Sequence, residues 1–274
     1  MKGLELKEKL NIMLRNWSHS VFRNILYEEA RNTNRHRYRS VYQRLYMYLR
    51  ILELGWKPYK ELQEILVREI GDAPSSTQIT WWLKGRQSPL GKIKVFDVFQ
   101  PKVGFIIGAV LSDGDKGISK HKGQVCDYYV KLNNKDRAFI EEFKEACHEL
   151  GLTYQERTET SGLGKELIKV KVRSTLLYLL IKHYKIFITE APDSLQRNFL
   201  RGITLGDGYI GQKIYLYNTD LELLKTIGTL LTKLGIKWTL QGPYKPAKTL
   251  GKKPRYRINI CKTSWQHFLK AINP

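Results

Sequence analysis

Cysteine is scarce in this 274-residue chain. The three that occur, Cys126, Cys147 and Cys261, are odd in number, far apart and never arranged as CxxC. That excludes a disulfide framework and a zinc finger. Acidic residues are also few: 26 Asp+Glu stand against 47 Lys+Arg, a formal net charge of +21. Long apolar runs are missing. The longest, Val103–Leu111 and Leu176–Ile181, are too short to cross a bilayer, and the opening MKGLELKEKLN has no signal-peptide core. A cytoplasmic, nucleoid-associated protein without a membrane partner is therefore expected. What is present is a hydrophobic fraction of 42%, enough for two domains with real cores. The positive field favours a polyanion, most simply nucleic acid, without separating DNA from RNA.

Residues 1–98 read as an all-α domain. The segment 16–44 is rich in Arg, Asn and Tyr, with helices expected around Val21–Ala30 and Tyr38–Leu52. Val41, Leu45, Tyr48, Leu49 and Leu52 recur at helical spacing before Gly55. Pro58 opens a helix over Tyr59–Ile70, and Gly71-Asp72-Ala73-Pro74 ends it. Ser75-Ser76-Thr77 supplies N-cap chemistry for a short helix, about Thr77–Lys84, closed by Gly85. This pair, about residues 59–84, resembles a helix-turn-helix. Ser76, Thr77, Gln78 and Thr80 would then lie near base edges, with Arg86 and Gln87 at the backbone. Ile79, Trp82 and Leu83 have core spacing, so Trp82 reads as packing. A basic linker follows over residues 87–94.

Residues 101–274 contain a repeat. A strand-like stretch, Val125–Leu132, leads through Asn133-Asn134-Lys135-Asp136 into a helix ending at Leu150-Gly151-Leu152. Lys213–Tyr217 leads through Asn218-Thr219-Asp220 into a helix ending at Leu234-Gly235-Ile236, with the same interval from Asp to Gly. Alternating strands follow in both copies, then helices near Leu176–Tyr184 and Trp265–Ala271. Successive strand residues face opposite ways. Ile168, Val170 and Val172 therefore oppose Lys169, Lys171 and Arg173, and Tyr256, Ile258 and Ile260 oppose Arg255, Arg257 and Asn259. A sheet with one apolar and one basic face can lie along a phosphate backbone, and the pattern occurs in both copies. The first copy has the longer opening hairpin, between Asp115 and Asp136.

Each copy begins with an apolar helical stretch ending in Asp-Gly: Ile106–Gly114 (IIGAVLSDG) and Leu200–Gly208 (LRGITLGDG). Small residues recur every fourth position, at Gly104, Gly108 and Ser112 and at Asn198, Gly202 and Gly206, which lets two helix backbones approach closely. Side-by-side packing would bring Asp113 and Asp207 together at the negative end of both helix dipoles. Two such carboxylates repel unless cations lie between them, an arrangement that metal-assisted phosphodiester hydrolysis needs.

This constellation resembles the LAGLIDADG homing endonucleases. Both segments align with the signature without gaps. They depart from it at the earlier acidic position, here Leu111 and Leu205, which the family varies and does not use as a ligand. The resemblance covers about 101–274. It implies an α+β fold: a pseudosymmetric pair of αββαββα halves, 99–190 and 191–274, forming a DNA-binding saddle. It implies a monomeric, site-specific double-strand DNA endonuclease with a long target, a staggered cut and Mg2+ or Mn2+ as cofactor. Asp113 and Asp207 would bind metal, with the carbonyls of Ser112 and Gly206 as supplementary ligands. Asn134 and Asn218 would order the attacking water, and Lys116, Lys185 and Lys262 are the basic catalytic candidates. DNA contacts would come from Lys131, Lys169, Lys171 and Arg173 in the first half. In the second they would come from Lys213, Tyr215, Arg255, Arg257 and Asn259. The basic loop Tyr244–Arg255 adds Lys245, Lys248, Lys252 and Lys253. The same fold also serves transcription regulators and intron maturases, the latter with RNA as partner; retention of both aspartates favours the enzyme. The chain opens on Met and does not end in His-Asn, which speaks against an intein.

Overall fold

The computed structural model describes residues 41–87, 96–121, 124–160, 166–245 and 253–273, together with positions 24, 27, 28, 30 and 31. The chain divides into two compact units, Met1–Asp97 and Val98–Pro274.

Besides the helical positions 24, 27, 28, 30 and 31, the described part of the first unit contains α1 (Val41–Leu54), α2 (Tyr59–Ile70) and α3 (Ser76–Leu83). Gly71 closes α2 in left-handed backbone, φ 70°, with its N–H on the Val67 carbonyl at 2.8 Å. Ser75 caps α3 by accepting from the Gln78 N–H at 3.3 Å. Leu45, Tyr48 and Ile51 of α1 are buried, as are Leu62, Leu66 and Ile70 of α2 and Ile79 and Trp82 of α3. Tyr48 meets Trp82 edge to face, ring centres 5.5 Å apart. Burial pushes the Tyr48 phenol well above its ordinary value. At the rim Glu69 accepts from Tyr46 (2.6 Å) and from Arg50 (3.0 Å). Most of the 16–44 segment lies outside the described residues.

The second unit is α+β and repeats one plan twice. The first half runs α4 (Pro101–Asp113), β1 (Gly114–His121), β2 (Gln124–Asn134), α5 (Arg137–Glu149), β3 (Tyr154–Thr160), β4 (Glu166–Arg173), α6 (Thr175–Lys182) and α7 (Tyr184–Glu190). The second runs α8 (Asp193–Asp207), β5 (Gly208–Ile210), β6 (Ile214–Asn218), α9 (Leu221–Lys233), β7 (Trp238–Tyr244), β8 (Arg255–Ile260) and α10 (Trp265–Ile272). Two four-stranded antiparallel sheets result, ordered β1-β2-β4-β3 and β5-β6-β8-β7. Each apolar strand face is covered by helices: Val130, Leu132, Val170 and Val172 in the first sheet, Ile214, Leu216, Ile258 and Ile260 in the second. The first opening hairpin is the longer, with strands of 8 and 11 residues against 3 and 5.

One helix differs from the sequence reading. The stretch Leu176–Tyr184 is not continuous; the chain breaks at His183 (φ −111°) and restarts as α7. The restart lets α7 bury Tyr184, Phe187 and Ile188 after α6 has buried Leu176, Leu177, Leu179 and Leu180. A single helix would turn one of these sets towards solvent.

The two halves join through α4 and α8, the most extensive helix–helix contact of the unit. A Cβ on Gly108 would lie 2.9 Å from the Ile203 nitrogen, and one on Gly202 would lie 2.7 Å from the Ala109 nitrogen. Both are backbone atoms that cannot move aside. Gly104 is pressed against the Leu195 carbonyl, so Leu195 takes the place in the stripe that spacing gave to Asn198. The Asn198 amide turns back to the Ser194 carbonyl (2.9 Å). Ser112 binds within its own helix, to Gly108 and Ala109 at 3.1 and 3.0 Å, and reaches Gly202 of the partner helix at 3.5 Å. Arg201 of α8 adds an ion pair across the halves to Glu142 of α5, at 2.9 Å. Substituting Gly202→Ala is expected to lower the unfolding free energy by about 1–3 kcal/mol through overpacking, read as a lower urea midpoint.

Candidate active site and nucleic-acid interface

The close approach of α4 and α8 ends at their C-termini, where Asp113 and Asp207 are the last helical residues. Gly114 and Gly208 leave at once in extended backbone, φ −116° and −89°, as the first residues of β1 and β5. Neither is left-handed. Room is the reason for glycine: a Cβ on Gly114 would lie 2.6 Å from Val110 Cα, and one on Gly208 would lie 2.9 Å from Thr204 Cα. At the crossing point Gly206 faces the other helix. A Cβ there would stand 2.9 Å from Asp113 Oδ2, so the Asp113 carboxylate lies against the residue preceding Asp207.

Each carboxylate is held by the strand end beside it. Asn134, last in β2, donates its Nδ2 to Asp113 Oδ2 at 2.8 Å, and its Oδ1 accepts from the Asp136 N–H at 2.8 Å. Asp136 then caps α5 by accepting from the Ala138 N–H at 2.9 Å. The second half repeats this chain. Asn218 donates to Asp207 Oδ2 at 2.7 Å and accepts from the Asp220 N–H at 2.7 Å, and Asp220 accepts from the Glu222 N–H at 2.9 Å. Both ends of each amide are engaged, so Asn134 and Asn218 hold the two carboxylates in place.

Burial raises the Asp113 carboxyl above its ordinary range, against the lowering bond from Asn134. Asp207 is pushed up to about 7, first by burial and next by the Asp113 charge, with Asn218 and Arg255 pulling the other way. Two half-desolvated acids facing one another are a site that gains from a cation.

The strand registers place the other charges. In the first sheet, Asp115, Lys131, Lys171 and Gln155 stand opposite one another and share the outer face with Tyr129, Lys169 and Arg173. This face is not purely basic. Lys131 pairs with Asp115 at 2.8 Å, and Lys169 is ion-paired and hydrogen-bonded to Glu159. Lys171 lies over the Tyr129 ring at 3.9 Å. The outer face of the second sheet carries Tyr209, Tyr215, Tyr217, Arg255, Arg257 and Asn259. Arg255 lies over Tyr217 at 5.4 Å, and Arg257 over Tyr215 at 4.4 Å.

Duplicated αββαββα halves, joined by glycine-packed helices with an aspartate at each end, find a match among sequence families. Residues 100–182 and 194–272 each match the LAGLIDADG-like domain. The chain belongs to that family. Among curated proteins it is similar to the uncharacterized protein MJ0314 of Methanocaldococcus jannaschii, 27% identical over 150 residues, which make up 50% of this chain and 55% of the relative. The chain thus matches little more than half the length of that relative. Among solved structures it is similar to I-DmoI in complex with DNA and Mn (TM-score 0.51, 19% identity), covering 63% of this chain and 96% of that one. An I-DmoI variant with its target DNA and Mg gives TM-score 0.51 at 20% identity, over 63% and 96% of the two chains. I-DmoI is named a homing endonuclease. At these identities the likeness is one of fold.

The LAGLIDADG helix ends can hold a hard cation. Their last cap bonds run from Gly114 to Val110 and from Gly208 to Thr204. The carbonyls of Ser112 and Gly206 lie beyond those positions, where helices leave acceptors without an intrahelical partner. Among the described residues no group of three His, Cys, Asp or Glu side chains is assembled. The donor set is therefore two carboxylates with main-chain carbonyls, completed by water or phosphate. All are oxygen ligands of the kind Mg2+, Mn2+ and Ca2+ take.

The basic catalytic candidates fare differently. Lys262 is corrected: Asn218 pairs with Tyr256 at one end of β8, whereas Ile260 pairs with Ile214 at the other. Four residues of strand span about 13 Å, so Lys262, beyond Ile260, is far from Asp207. Lys185 is engaged with Glu222 at 3.2 Å. Lys116 pairs with Val130 and so lies on the helix-covered side of its sheet, half-buried. The basic side chain whose charge acts on Asp207 is Arg255, which spacing had assigned to DNA contact alone. Lys213, Lys245 and Lys253 are exposed around the second sheet, and Lys248 and Lys252 lie outside the described residues. In the first unit Ser76, Thr77, Arg86 and Gln87 are exposed, and Gln78 and Thr80 are half-buried. Thr80 Oγ1 stands 3.1 Å from the Tyr59 hydroxyl. Trp82 is buried, as its core spacing predicts, and its neighbour Trp81 is 38% exposed. With Thr77 as position i, Thr80 (i+3), Trp81 (i+4) and Lys84 (i+7) share one helix face.

The raised carboxyls make stability pH-dependent with a definite sign. Asp207 titrates near 7 in the fold and near 3.9 when unfolded. Its contribution is fully present below about pH 4 and is lost as pH rises through about 7; Asp113 acts in the same direction. In EDTA, unfolding free energy measured by urea titration should fall across that window. Asp207→Asn should flatten the fall, and Mg2+ should restore stability most at the alkaline end.

Proposed function

We propose that this chain is a divalent-metal-dependent double-strand DNA endonuclease that cuts a specific site with a stagger. The observation that carries the reading is the pair of carboxylates at matching helix ends. Each is oriented by its own Asn–Asp capping chain, and each is held in a raised state that a cation would relieve. Cations bound there would stabilise charge on a scissile phosphate and ease deprotonation of an attacking water. Asp113 and Asp207 hold and orient them, one acid for each strand, which accounts for the stagger. Asn134 and Asn218 keep the carboxylates from turning away, and Arg255 lends positive charge beside Asp207. The outer sheet faces, with their lysines, arginines and tyrosines, bind the duplex on either side of the cleavage point.

In the first unit, α2 and α3 act as a helix-turn-helix, with the Thr77–Thr80–Trp81–Lys84 face presented to the major groove. The indole of Trp81 offers apolar surface to thymine methyl groups.

The deciding experiment incubates the purified chain with Mg2+ or Mn2+ and its own coding locus with the gene closed out. Cleavage on both strands is expected. Asp113→Asn or Asp207→Asn should lower the cutting rate about a thousandfold, the equivalent of several kcal/mol of lost charge stabilisation. Binding should change little. Tight binding without nicking under any divalent metal would instead make the protein a regulator or maturase. Trp81→Ala should weaken target affinity about tenfold, a contact of 1–3 kcal/mol, while the cutting rate of the bound complex stays the same.

A further inference from the structure

The two sheets present the same fold to a ligand but not the same chemistry. On the first face, Lys131 and Lys169 already have carboxylate partners, Asp115 and Glu159. Any phosphate that approaches must compete with those acids. The described outer face of the second sheet includes no Asp or Glu. Its centre is Arg257 on β8, flanked by Tyr215 from β6 at 4.4 Å and Tyr244 from β7 at 5.0 Å. The guanidinium Nε donates to Gln241 Oε1 at 2.7 Å. Arginine carries five N–H groups in a fixed fork, so its two terminal nitrogens face a ligand together. The rotamer freedom that an exposed arginine normally loses on binding has been removed in advance.

Resting on the DNA-binding reading above, we propose that Arg257 is the principal specificity-determining residue of the second half and reads a guanine in the major groove by a two-pronged contact to O6 and N7. The first sheet supplies salt-sensitive, sequence-tolerant contacts that Asp115 and Glu159 hold in check. Binding energy is thus divided unequally: the half-site under the second sheet is read, and the half-site under the first is mainly gripped.

The test is selection of bound duplexes from a randomised library, with Ca2+ in place of Mg2+. The wild-type preference matrix should contain a strong guanine at one position of one half-site. Arg257→Lys keeps the charge but loses the planar fork, and should cut that guanine preference severalfold without abolishing it. Other positions should hold, and affinity for random duplex should stay within about twofold. Tyr244→Leu, which removes only one wall of the clamp, should cause an intermediate loss. Glu159→Gln should tighten binding to random duplex about threefold and steepen its salt dependence by about one phosphate equivalent. A matrix unchanged by Arg257→Lys, from a wild-type chain that does select sequences, would overturn the inference and leave the endonuclease reading standing. Glu159→Gln without effect on affinity or salt dependence would overturn the division between the sheets. A wild-type chain that selects no sequence at all would overturn site-specific binding itself, and this inference with it.

Discussion

Everything chemical in the second unit depends on how closely two helix backbones can come. Gly108 and Gly202 face each other's helices where even a methyl group would strike backbone atoms. Gly206 leaves the space beside which Asp113 is lodged. Larger residues at these points would separate α4 and α8, and with them the two aspartates. The cost of the approach is electrostatic. Carboxylates brought together at the negative ends of two helix dipoles, partly out of water, oppose each other's ionisation. Burial first, and the Asp113 charge second, raise the Asp207 carboxyl. A fold selected for stability alone would place a neutral or basic side chain there. The arrangement becomes favourable once a cation neutralises the pair, which makes the destabilised site and the proposed chemistry one design.

The carboxylates are also prevented from relaxing apart. A side chain at a helix end could swing into solvent, where its charge costs least. The Asn amides stop this, because each is itself fixed at both ends: to the carboxylate through Nδ2 and to the start of the next helix through Oδ1. Since Asp136 and Asp220 cap α5 and α9, the orientation of each acid is tied to the packing of a core helix. The unit Asn-x-Asp thus links strand end, helix start and site in one hydrogen-bonded chain.

Much of this was legible in the sequence because it is local and periodic. The every-fourth small residues, the Asp-Gly ends and the strand alternation each describe one element, and duplication made each visible twice. What was not legible depends on register between elements. Lys262 is a basic candidate implied by the family resemblance, but the antiparallel pairing of β6 with β8 carries the end of β8 away from Asn218 and brings Arg255 towards Asp207. The outer face of β4 read as basic because its own residues are; Glu159 and Asp115 enter from β3 and β1, whose pairing no single-strand pattern reveals. Trp81 and Trp82 are neighbours with the same propensities. Helical spacing with Ile79 nonetheless marks Trp82 as the core indole, and it packs edge to face on Tyr48 while Trp81 is exposed.

The contrast between a symmetric centre and asymmetric faces has a physical rationale. In the proposed nuclease the phosphodiester is identical on both strands, so both halves would meet the same chemical demand, and Asp113–Asn134 and Asp207–Asn218 have nearly the same geometry. Base sequence is under no such constraint. A symmetric homodimer presents one surface twice and is matched best by a two-fold target. Two halves joined in one chain are free to differ. Here they do: one face pairs its lysines with acids, and the other stacks its arginines on tyrosines. Fusion of the repeats therefore has a consequence beyond linkage. Under the proposed function it allows a single pair of aspartate-bearing helices to be carried by two faces of different chemistry, so that the sequence recognised on one side of the cut need not mirror the other.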